Sequence, residues 1–334
     1  MFQKNNSQME FKKFKAATVQ TAPVFLNVEK TIAKAVSFVK EAADNGAQLI
    51  VFPEVFVAGY PYWNWIMTPV QGSKWYEQLY KNSVAVGDES MQPLYQAAKD
   101  FNMHIVIGIN ERGYSYGEIY NTNLIIDKHG KVIGKHRKLV PTWAEKLTWT
   151  SGDGSSLKVY DTEVGPLGTL ACGENTNTLA RFTLLSQGEL VHIANYISLP
   201  VAPPDYDMAE AIKIRAAAHS FEGKLFTIVS CSTISQEIKD ALRADVPNVD
   251  ELLDRKSSAF SGFIGPNGAV IGQPLIDEEG MVYAEIDLAK CIQPKQMHDI
   301  LGHYNRFDIF DLRVNTAPTR KITFIDNHEE FNKR

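Results

Sequence analysis

The 334-residue chain is 44% hydrophobic and 22% charged, a composition typical of soluble globular proteins. With 34 basic and 39 acidic residues its net charge is −5, which gives it no electrostatic reason to bind nucleic acid or an anionic membrane surface. The chain has no stretch of about 18 apolar residues and no secretory signal in its polar N-terminal segment, so we expect neither a membrane span nor export.

The first half of the chain alternates predicted strands with amphipathic helices. Residues 1–13 are polar and predict a flexible lead-in. Apolar side chains recur at helical spacing from Val28 to Asn45, and Gly46 follows as a stop signal, which together predict a helix. Strands are predicted at Ala16–Thr21, Gln48–Glu54, Met103–Asn110, Tyr120–Asp127 and Lys131–Lys138, and further helices at Ser73–Lys81 and Ser90–Phe101.

The second half repeats this alternation, and no Gly/Ser-rich linker separates it from the first. Strands are predicted at Leu157–Thr162, Gly165–Cys172 and Glu189–Asn195, helices at Thr178–Gln187 and Tyr206–Glu222, and four later strands between Lys224 and Leu288. The ratio of strands to helices predicts two sheets packed together with helices outside. We therefore expect one α/β domain of two similar halves over residues 14–300, followed by a tail over residues 301–334.

The sequence lacks the common cofactor and metal motifs. It contains no GxGxxG after a strand, no GxxxxGK[ST] and no HExxH. His192 lies in an apolar strand and His219 on a predicted helix, where hydrogen-bonded structural histidines are the favoured interpretation. The three cysteines are an odd number and favour a reducing, cytoplasmic setting over a disulfide framework. We predict no metal and no organic cofactor.

Three segments remain as candidates for chemistry, and the first is Phe52–Trp65. Glu54 is predicted to end a buried strand, where burial raises the proton affinity of a carboxylate and suits it to act as a general base. A helix-capping or surface glutamate is the alternative. The aromatic run YPYWNW, which begins at Tyr60, fits the wall of an apolar pocket or ordinary core packing.

The second segment is His136–Trp149. Lys138 is predicted to end a strand, and Glu145 follows seven residues later. A lysine at a strand end beside a buried carboxylate stays charged and can stabilise negative charge that develops in a transition state. A solvated basic patch with an exposed Glu–Lys pair is the alternative.

The third segment, Gly165–Phe182, has Cys172 at the end of a strand rich in small apolar residues. The cysteine and the following Gly173 are predicted to form a tight turn before a helix. Backbone N–H groups at such a turn favour a thiolate and can bind a developing anion, and the glycine gives the turn conformational freedom. A buried, unreactive thiol is the alternative, and it is the interpretation we keep for Cys231 and Cys291.

Taken together, the three segments resemble a known family. FPEVFVAGYPYW, HRKLVPTWAE and ACGEN occur in the order and at the spacing of the three catalytic segments of the nitrilase superfamily of carbon–nitrogen hydrolases. The opening AATVQTAPVFLN, the block TWTSGDGSSLKVYDTEVGPLG, the stretch QGELVHIANY and the GHYNRFDIF of the tail are similar to the nitrilase branch itself. The resemblance covers nearly the whole chain and implies a four-layer αββα sandwich.

The resemblance also implies roles for single residues. Glu54, Lys138 and Cys172 match the catalytic triad, and Glu145 matches the further glutamate that holds the lysine and positions the substrate. The nitrilase branch usually has Trp after the nucleophile, where this chain has Gly173, so we expect open space beside the thiol. Candidate substrate-binding residues are Tyr60, Trp63, Trp143, Gly173, Glu174 and Tyr196.

The activity implied is hydrolysis of an organic nitrile to a carboxylic acid and ammonia, through a thioimidate and a thioester on Cys172. An amidase or a cyanide-converting enzyme with the same residues is the nearest alternative, and a non-catalytic scaffold of the same fold is the alternative from another class. The expected partners are a small nitrile (or amide) and water. Since the resemblance implies dimers and often spiral oligomers, we expect a homodimer or larger homo-oligomer, with the tail after Leu301 crossing an interface.

Overall fold

Two six-stranded sheets, joined by a shared apolar layer, form the centre of the molecule. The structure is a computed structural model that describes residues 11–201, 203, 205–320 and 322, so most of the predicted lead-in lies outside the described residues. In chain order the strands are β1 (Lys13–Gln20), β2 (Leu49–Val51), β3 (His104–Arg112), β4 (Ile119–Ile126), β5 (Val132–Arg137), β6 (Tyr160–Thr162), β7 (Gly165–Ala171), β8 (Val191–Tyr196), β9 (Phe226–Cys231), β10 (Phe260–Ile264), β11 (Val270–Ile276) and β12 (Gly280–Asp287).

The two sheets have the same arrangement of strands. The first is ordered β12–β1–β2–β3–β4–β5 and the second β6–β7–β8–β9–β10–β11. In each, three central strands run parallel and the flanking strands pair antiparallel. Because β12 comes from the end of the chain and completes the first sheet, the two halves cannot separate into independent domains. The matching strand order of the two sheets confirms the prediction of one domain with two similar halves.

Helices cover the outer face of each sheet. They are α1 (Val28–Asp44), α2 (Trp63–Ile66), α3 (Pro69–Lys81), α4 (Gln92–Asp100), α5 (Thr178–Leu185), α6 (Met208–Gly223), α7 (Gln236–Arg243) and α8 (Val249–Leu253). Apolar residues of α1 and α4 pack on the first sheet, and those of α5 and α6 on the second. The layers are therefore helix, sheet, sheet, helix, which is the predicted αββα sandwich.

Strand β1 shows why the central strands are apolar on both faces. Phe14 and Ala16 belong to the layer between the sheets, whereas Ala17 and Val19 pack under the outer helices. Successive side chains of a strand point to opposite faces, so a strand buried on both sides needs a continuous apolar run.

Some element boundaries differ from the predicted ones. Strand β2 ends at Val51 rather than Glu54, because Pro53 has no N–H for the ladder and Val55 turns the chain with a φ of +41°. Helix α3 begins at Pro69, four residues before the predicted Ser73. Thr68 caps it by accepting a hydrogen bond from the backbone of Gln71, which periodicity does not reveal.

The described part of the tail, residues 301–320 and 322, contains no helix or strand. It lies back on the domain, where the Thr319 N–H donates to Asp153 Oδ2 at 2.7 Å. Among the described residues, none of the helices combines the length and the apolar character that a membrane crossing requires.

Candidate active site

Glu54, Lys138 and Cys172 lie on three segments that follow strands. Lys138 comes directly after β5 and Cys172 directly after β7, and Glu54 lies just beyond β2. The Glu54 N–H donates to the carbonyl of Tyr196 at the end of β8, 3.3 Å away. This bond joins the first half of the chain to the second, so the site forms where the two sheets meet.

Gly108 of β3 allows the segment that carries Glu54 to lie against the strand. A Cβ at this position would stand 2.2 Å from the nitrogen of Val55 and 2.4 Å from the oxygen of Pro53. Instead the Gly108 N–H donates to Pro53 O at 3.1 Å, and the Val57 N–H donates to Gly108 O at 3.0 Å. Any other residue here would push the Glu54 segment away from the sheet.

The Lys138 ammonium lies between two buried carboxylates. Its Nζ is 2.9 Å from Oε1 of Glu54 and 2.7 Å from Oε2 of Glu145, and the three side chains are at most 2% exposed. Burial lowers the pKa of Lys138, but the negative charges of Glu145 and Glu54 outweigh this effect and hold the pKa well above its usual value. The lysine is therefore a fixed positive charge inside the protein.

Glu145 is held by two more donors. The Tyr60 hydroxyl donates to Oε1 at 2.9 Å, and the backbone N–H of Thr142 donates to Oε2 at 2.7 Å. Tyr60 in turn accepts a hydrogen bond from Nε1 of Trp65 at 3.0 Å. Tyr60 thus orients the carboxylate that holds Lys138, and it does not line the cavity described below.

One carboxylate oxygen of Glu54 is free to take a proton. Oε1 accepts from Lys138 and, at 2.7 Å, from Nδ2 of Asn121. Oε2 is buried and makes no hydrogen bond to the described residues. Burial raises the pKa of Glu54, the charge of Lys138 opposes it, and the net result is a pKa above the usual value. A buried oxygen of raised proton affinity suits a general base.

Cys172 has a left-handed backbone, with a φ of +51°, and opens a short 3-10 helix, Cys172–Thr176. Burial and the negative charge of Glu54 raise the pKa of its thiol, and the opposing charge of Lys138 does not compensate. The resting thiol therefore favours its protonated form. Helix α5 begins only at Thr178, too far along the chain to act on the sulfur, and the thiol needs a base.

Each of the three segments contains a residue in the left-handed region. Besides Cys172, these include Val55, next to Glu54, and Trp143, with φ values of +41° and +44°. Such conformations cost non-glycine residues roughly 1–2 kcal/mol and persist where the surrounding contacts impose them. Their occurrence on all three segments indicates that the fold holds these side chains in set positions.

Glu174 connects the Cys172 turn to the Lys138 strand. Its Oε1 accepts from the N–H of Leu139 at 2.8 Å, and its Oε2 accepts from the N–H of Ala171 at 3.0 Å and lies 2.8 Å from Nε2 of His136. Burial lowers the pKa of His136, but the charge of Glu174 and its hydrogen bond outweigh this and raise the pKa. Glu174 does not border the cavity, where contact with substrate was expected, and its hydrogen bonds instead join the Cys172 turn to the segment after β5.

A cavity of about 310 Å³ opens beside Cys172, and its walls are largely apolar. Trp143 and Gly173, two of the predicted substrate-binding residues, border it. The full lining is Trp65, Thr142, Trp143, Glu145, Cys172, Gly173, Leu199, Val201, Pro203, Tyr206, Met208 and Arg215.

Two other predicted pocket residues, Trp63 and Tyr196, do not border this cavity. Trp63 is buried and packs against Phe25 and Trp75, with ring centroids 6.3 and 6.1 Å away. Tyr196 is also buried, and its hydroxyl has no hydrogen-bond partner in the described part of the chain. Residue type could not separate these positions from a pocket wall, because aromatic side chains bury large apolar areas in either place.

Glu189, His192 and His219 form a buried cluster behind the Cys172 turn. His192 Nδ1 and His219 Nε2 lie 2.7 and 2.9 Å from the two oxygens of Glu189, and His192 Nε2 lies 2.8 Å from Oδ1 of Asn175. Asn175 in turn donates to the carbonyl of Cys172 at 3.0 Å. The cluster has the composition of a metal site, but its inward-facing atoms satisfy one another. His192 thus supports the turn through Asn175, whereas Nδ1 of His219 makes no hydrogen bond within the described residues.

The sequence analysis missed Asn121, Asn175 and Arg215. Asn121 is one of three consecutive polar residues in the buried strand β4, which is a signal for a buried hydrogen-bonding role. Asn175 ends the ACGEN segment, where its residue type alone does not indicate a contact with the turn. Arg215 lies on α6, and its helical position alone does not show that it reaches the cavity.

A family model for carbon–nitrogen hydrolases matches residues 15–296. The chain belongs to the carbon–nitrogen hydrolase family. The hydrolase is 36% identical to an aliphatic nitrilase of Rhodococcus rhodochrous, over 92% of this chain and 84% of that protein. It is 34% identical to a nitrilase of Paraburkholderia phymatum, over 92% of this chain and 88% of that protein. It is 32% identical to a cyanide hydratase of Microdochium sorghi, over 94% of this chain and 87% of that protein. The predicted family and the hydrolysis of carbon–nitrogen bonds are confirmed.

Solved structures have the same fold as this hydrolase. A carbon–nitrogen hydrolase from Helicobacter pylori G27 superposes with a TM-score of 0.69 over 87% of this chain and 94% of that chain, at 19% identity. A Saccharomyces cerevisiae member of branch 10 of the nitrilase superfamily superposes with a TM-score of 0.67 over 87% of this chain and 96% of that chain, at 21% identity. These likenesses confirm the predicted fold class.

Gly173 is not required by the backbone of the hydrolase. The left-handed residue of the turn is Cys172, and Gly173 has no positive φ. A Cβ on Gly173 would meet only Oγ1 of Thr142, at 3.4 Å, which is ordinary contact. The expectation that glycine's freedom shapes this turn is wrong, whereas the expected open space beside the thiol is present.

The variant Gly173→Trp is therefore expected to fold and to narrow the cavity. An indole would fill much of the 310 Å³ beside Cys172, so kcat/KM for phenylacetonitrile should fall at least about tenfold more than kcat/KM for propionitrile. Steady-state kinetics with both nitriles measure the ratio, and Gly173→Ala is the matched control that should leave it nearly unchanged. Equal losses for the two nitriles would contradict the prediction.

Proposed function

We propose that this hydrolase is a nitrilase that converts an organic nitrile and two molecules of water to a carboxylic acid and ammonia. The observation that carries the proposal is Cys172 at the wall of an apolar cavity, within electrostatic range of a buried lysine held by two carboxylates. A cavity of about 310 Å³ is far larger than the two heavy atoms of hydrogen cyanide need, which favours an organic nitrile over cyanide.

The first proposed step is attack by sulfur. Glu54 takes the thiol proton of Cys172 with its unpaired Oε2, and the sulfur bonds to the nitrile carbon. The nitrogen gains the electron pair of one carbon–nitrogen bond and then the proton, which yields a thioimidate. Lys138 and the backbone N–H of Gly173 stabilise the charge that develops on nitrogen. The raised pKa of Cys172 supports an attack that is coupled to proton removal.

The second proposed stage is hydrolysis of the thioimidate. A water that loses a proton to Glu54 adds to the carbon, and the nitrogen leaves as ammonia once it has taken up protons. A thioester remains on Cys172, and a second water releases the carboxylic acid and restores the thiol. Glu145 keeps Lys138 in place throughout, which is supported by the 2.7 Å contact between them. Trp143 and Gly173 contact the organic group of the substrate.

Parallel assays with nitriles of increasing size and their matched amides test this proposal. We expect ammonia and carboxylate in equal amounts from nitriles, with amides turned over more slowly. Turnover of amides without any nitrile would establish an amidase instead, and activity on cyanide alone would establish a cyanide-converting enzyme. Mass spectrometry of the intact protein during turnover should detect the acyl group on Cys172.

Residues 14–300 form the proposed hydrolase domain, and we propose that the tail, residues 301–334, contributes to a homo-oligomer. Phe307, Ile309 and Phe310 are 58%, 60% and 67% exposed, an apolar area that a partner subunit would cover. Light scattering during size-exclusion chromatography should show a dimer or larger assembly, and a monomer would contradict the proposal. We also propose a cytoplasmic location, which the three buried free cysteines support.

A further inference from the structure

Arg215 is a cation at the cavity wall that the proposed mechanism does not use. It lies on α6, is half-buried, and borders the cavity together with Cys172. Its Nε donates to Oγ1 of Thr176 at 2.7 Å, and its Nη2 donates to the hydroxyl of Tyr206 at 2.8 Å. Both partners are neutral, so neither balances the charge of the guanidinium.

Two other half-buried arginines of the hydrolase have carboxylate partners. Arg112 lies 2.8 Å from Asp88, and Arg137 lies 2.7 Å from Glu111. Within the described residues, Arg215 has no carboxylate inside the 4.0 Å that defines an ion pair. A partly buried cation without an anion loses hydration that two neutral hydrogen-bond acceptors replace only in part. The protein therefore leaves this charge available to a group that enters the cavity.

The other charged groups near the cavity do not neutralise Arg215. Glu145, the carboxylate among the lining residues, is already engaged by Lys138, Tyr60 and the backbone. Burial lowers the pKa of Arg215, but Tyr196, Tyr206 and Cys172 raise it, so the guanidinium stays charged and lies within electrostatic range of the nucleophile. A substrate held by Cys172 at one end can thus meet a cation at the other.

We propose that Arg215 binds a carboxylate at the far end of the substrate, and that the preferred substrates are ω-cyanocarboxylates. This inference rests on the proposed nitrilase function and adds the substrate class. The guanidinium forms charge-assisted, commonly bidentate, hydrogen bonds with a carboxylate. The apolar walls contact the methylene chain, and the space left by Gly173 admits it beside the thiol. The reaction then yields a dicarboxylate and ammonia.

An alternative role for Arg215 is direct stabilisation of the Cys172 thiolate, since its charge opposes the rise in the pKa of that thiol, although burial and Glu54 dominate. The two roles differ in their dependence on substrate. A carboxylate contact affects only anionic nitriles, whereas thiolate stabilisation affects all nitriles equally.

The test compares kcat/KM of wild type and Arg215→Met for 3-cyanopropanoate and its neutral isostere, 4-methylpentanenitrile. Cyanoacetate extends the series to a shorter chain, and 4-cyanobutanoate extends it to a longer one. We expect wild type to prefer a cyanocarboxylate, and Arg215→Met to lose on the order of 10–100-fold for the anion and far less for the isostere. Arg215→Lys, which keeps the charge, should recover part of the loss. The matched control is Lys213→Met on the same helix, where Lys213 pairs with Glu210 at the surface.

Equal losses for the anionic and neutral nitriles, or a wild-type preference for the neutral nitrile at every chain length, would overturn the inference. Calorimetric binding of 3-cyanopropanoate to Cys172→Ala, with and without Arg215→Met, tests the carboxylate contact without turnover. Weaker binding on loss of Arg215 supports the contact, and unchanged binding overturns it. If wild type binds the compound through Arg215 but hydrolyses no nitrile, the nitrilase proposal fails while the carboxylate site stands.

Discussion

Replacing Cys172 by alanine is expected to lower kcat for nitrile hydrolysis on the order of 10⁴-fold or more, because the covalent route through the thioimidate is lost. The substitution removes one sulfur atom and leaves the Glu54–Lys138–Glu145 contacts in place. The free energy of unfolding should therefore change by only about 1 kcal/mol. Ammonia release gives the rate, and urea unfolding gives the stability.

Cys231→Ala is the matched control for the nucleophile. Cys231 is buried in β9, and its thiol donates only to the carbonyl of Ser232, at 3.5 Å. We expect this variant to keep its turnover and to form the acyl adduct during turnover. Loss of activity in Cys231→Ala with activity retained in Cys172→Ala would place the nucleophile elsewhere and refute the mechanism.

Lys138→Met is expected to abolish turnover and also to destabilise the fold by about 3–5 kcal/mol, because it leaves two buried carboxylates without their shared cation. The pKa of Glu54, which burial already raises, should rise further. A carboxyl group whose pKa is raised in the folded state stabilises the folded protein at low pH. This stabilisation is lost as the pH rises through the raised pKa. The stability deficit should therefore be larger at pH 7.5 than at pH 5.5, as measured by urea unfolding.

Lys135→Met controls for the loss of a lysine from the strand that leads to Lys138. Lys135 pairs with Glu111, its side chain is 35% exposed, and Glu111 keeps a second cation in Arg137. Its removal should cost no more than about 1 kcal/mol and leave turnover intact. Equal destabilisation by the two variants, or an active Lys138→Met, would show that the buried cation lacks the proposed role.

The order of strands and helices was predictable because the signals that set it are local. Helix α1 was predicted within one residue of its end, since its apolar spacing and its stop at Gly46 lie within one stretch of chain. The end of β2 and the start of α3 were not, because they depend on Pro53, on the conformation of Val55 and on the cap at Thr68. Capping and turn geometry add no periodic signal to the sequence.

For the site, the sequence by itself determined which residues are candidates: Glu54, Lys138 and Cys172 stand at the ends of predicted buried strands, where polar groups are costly without partners, and the family resemblance adds Glu145. Only the tertiary structure decided how they are used. It leaves one oxygen of Glu54 unpaired, directs Glu174 to the backbone, and brings Arg215 to the cavity. These contacts join segments that are distant in the chain. The packing of the two sheets and of α6 determines which of these residues meet, and no local sequence pattern encodes that packing.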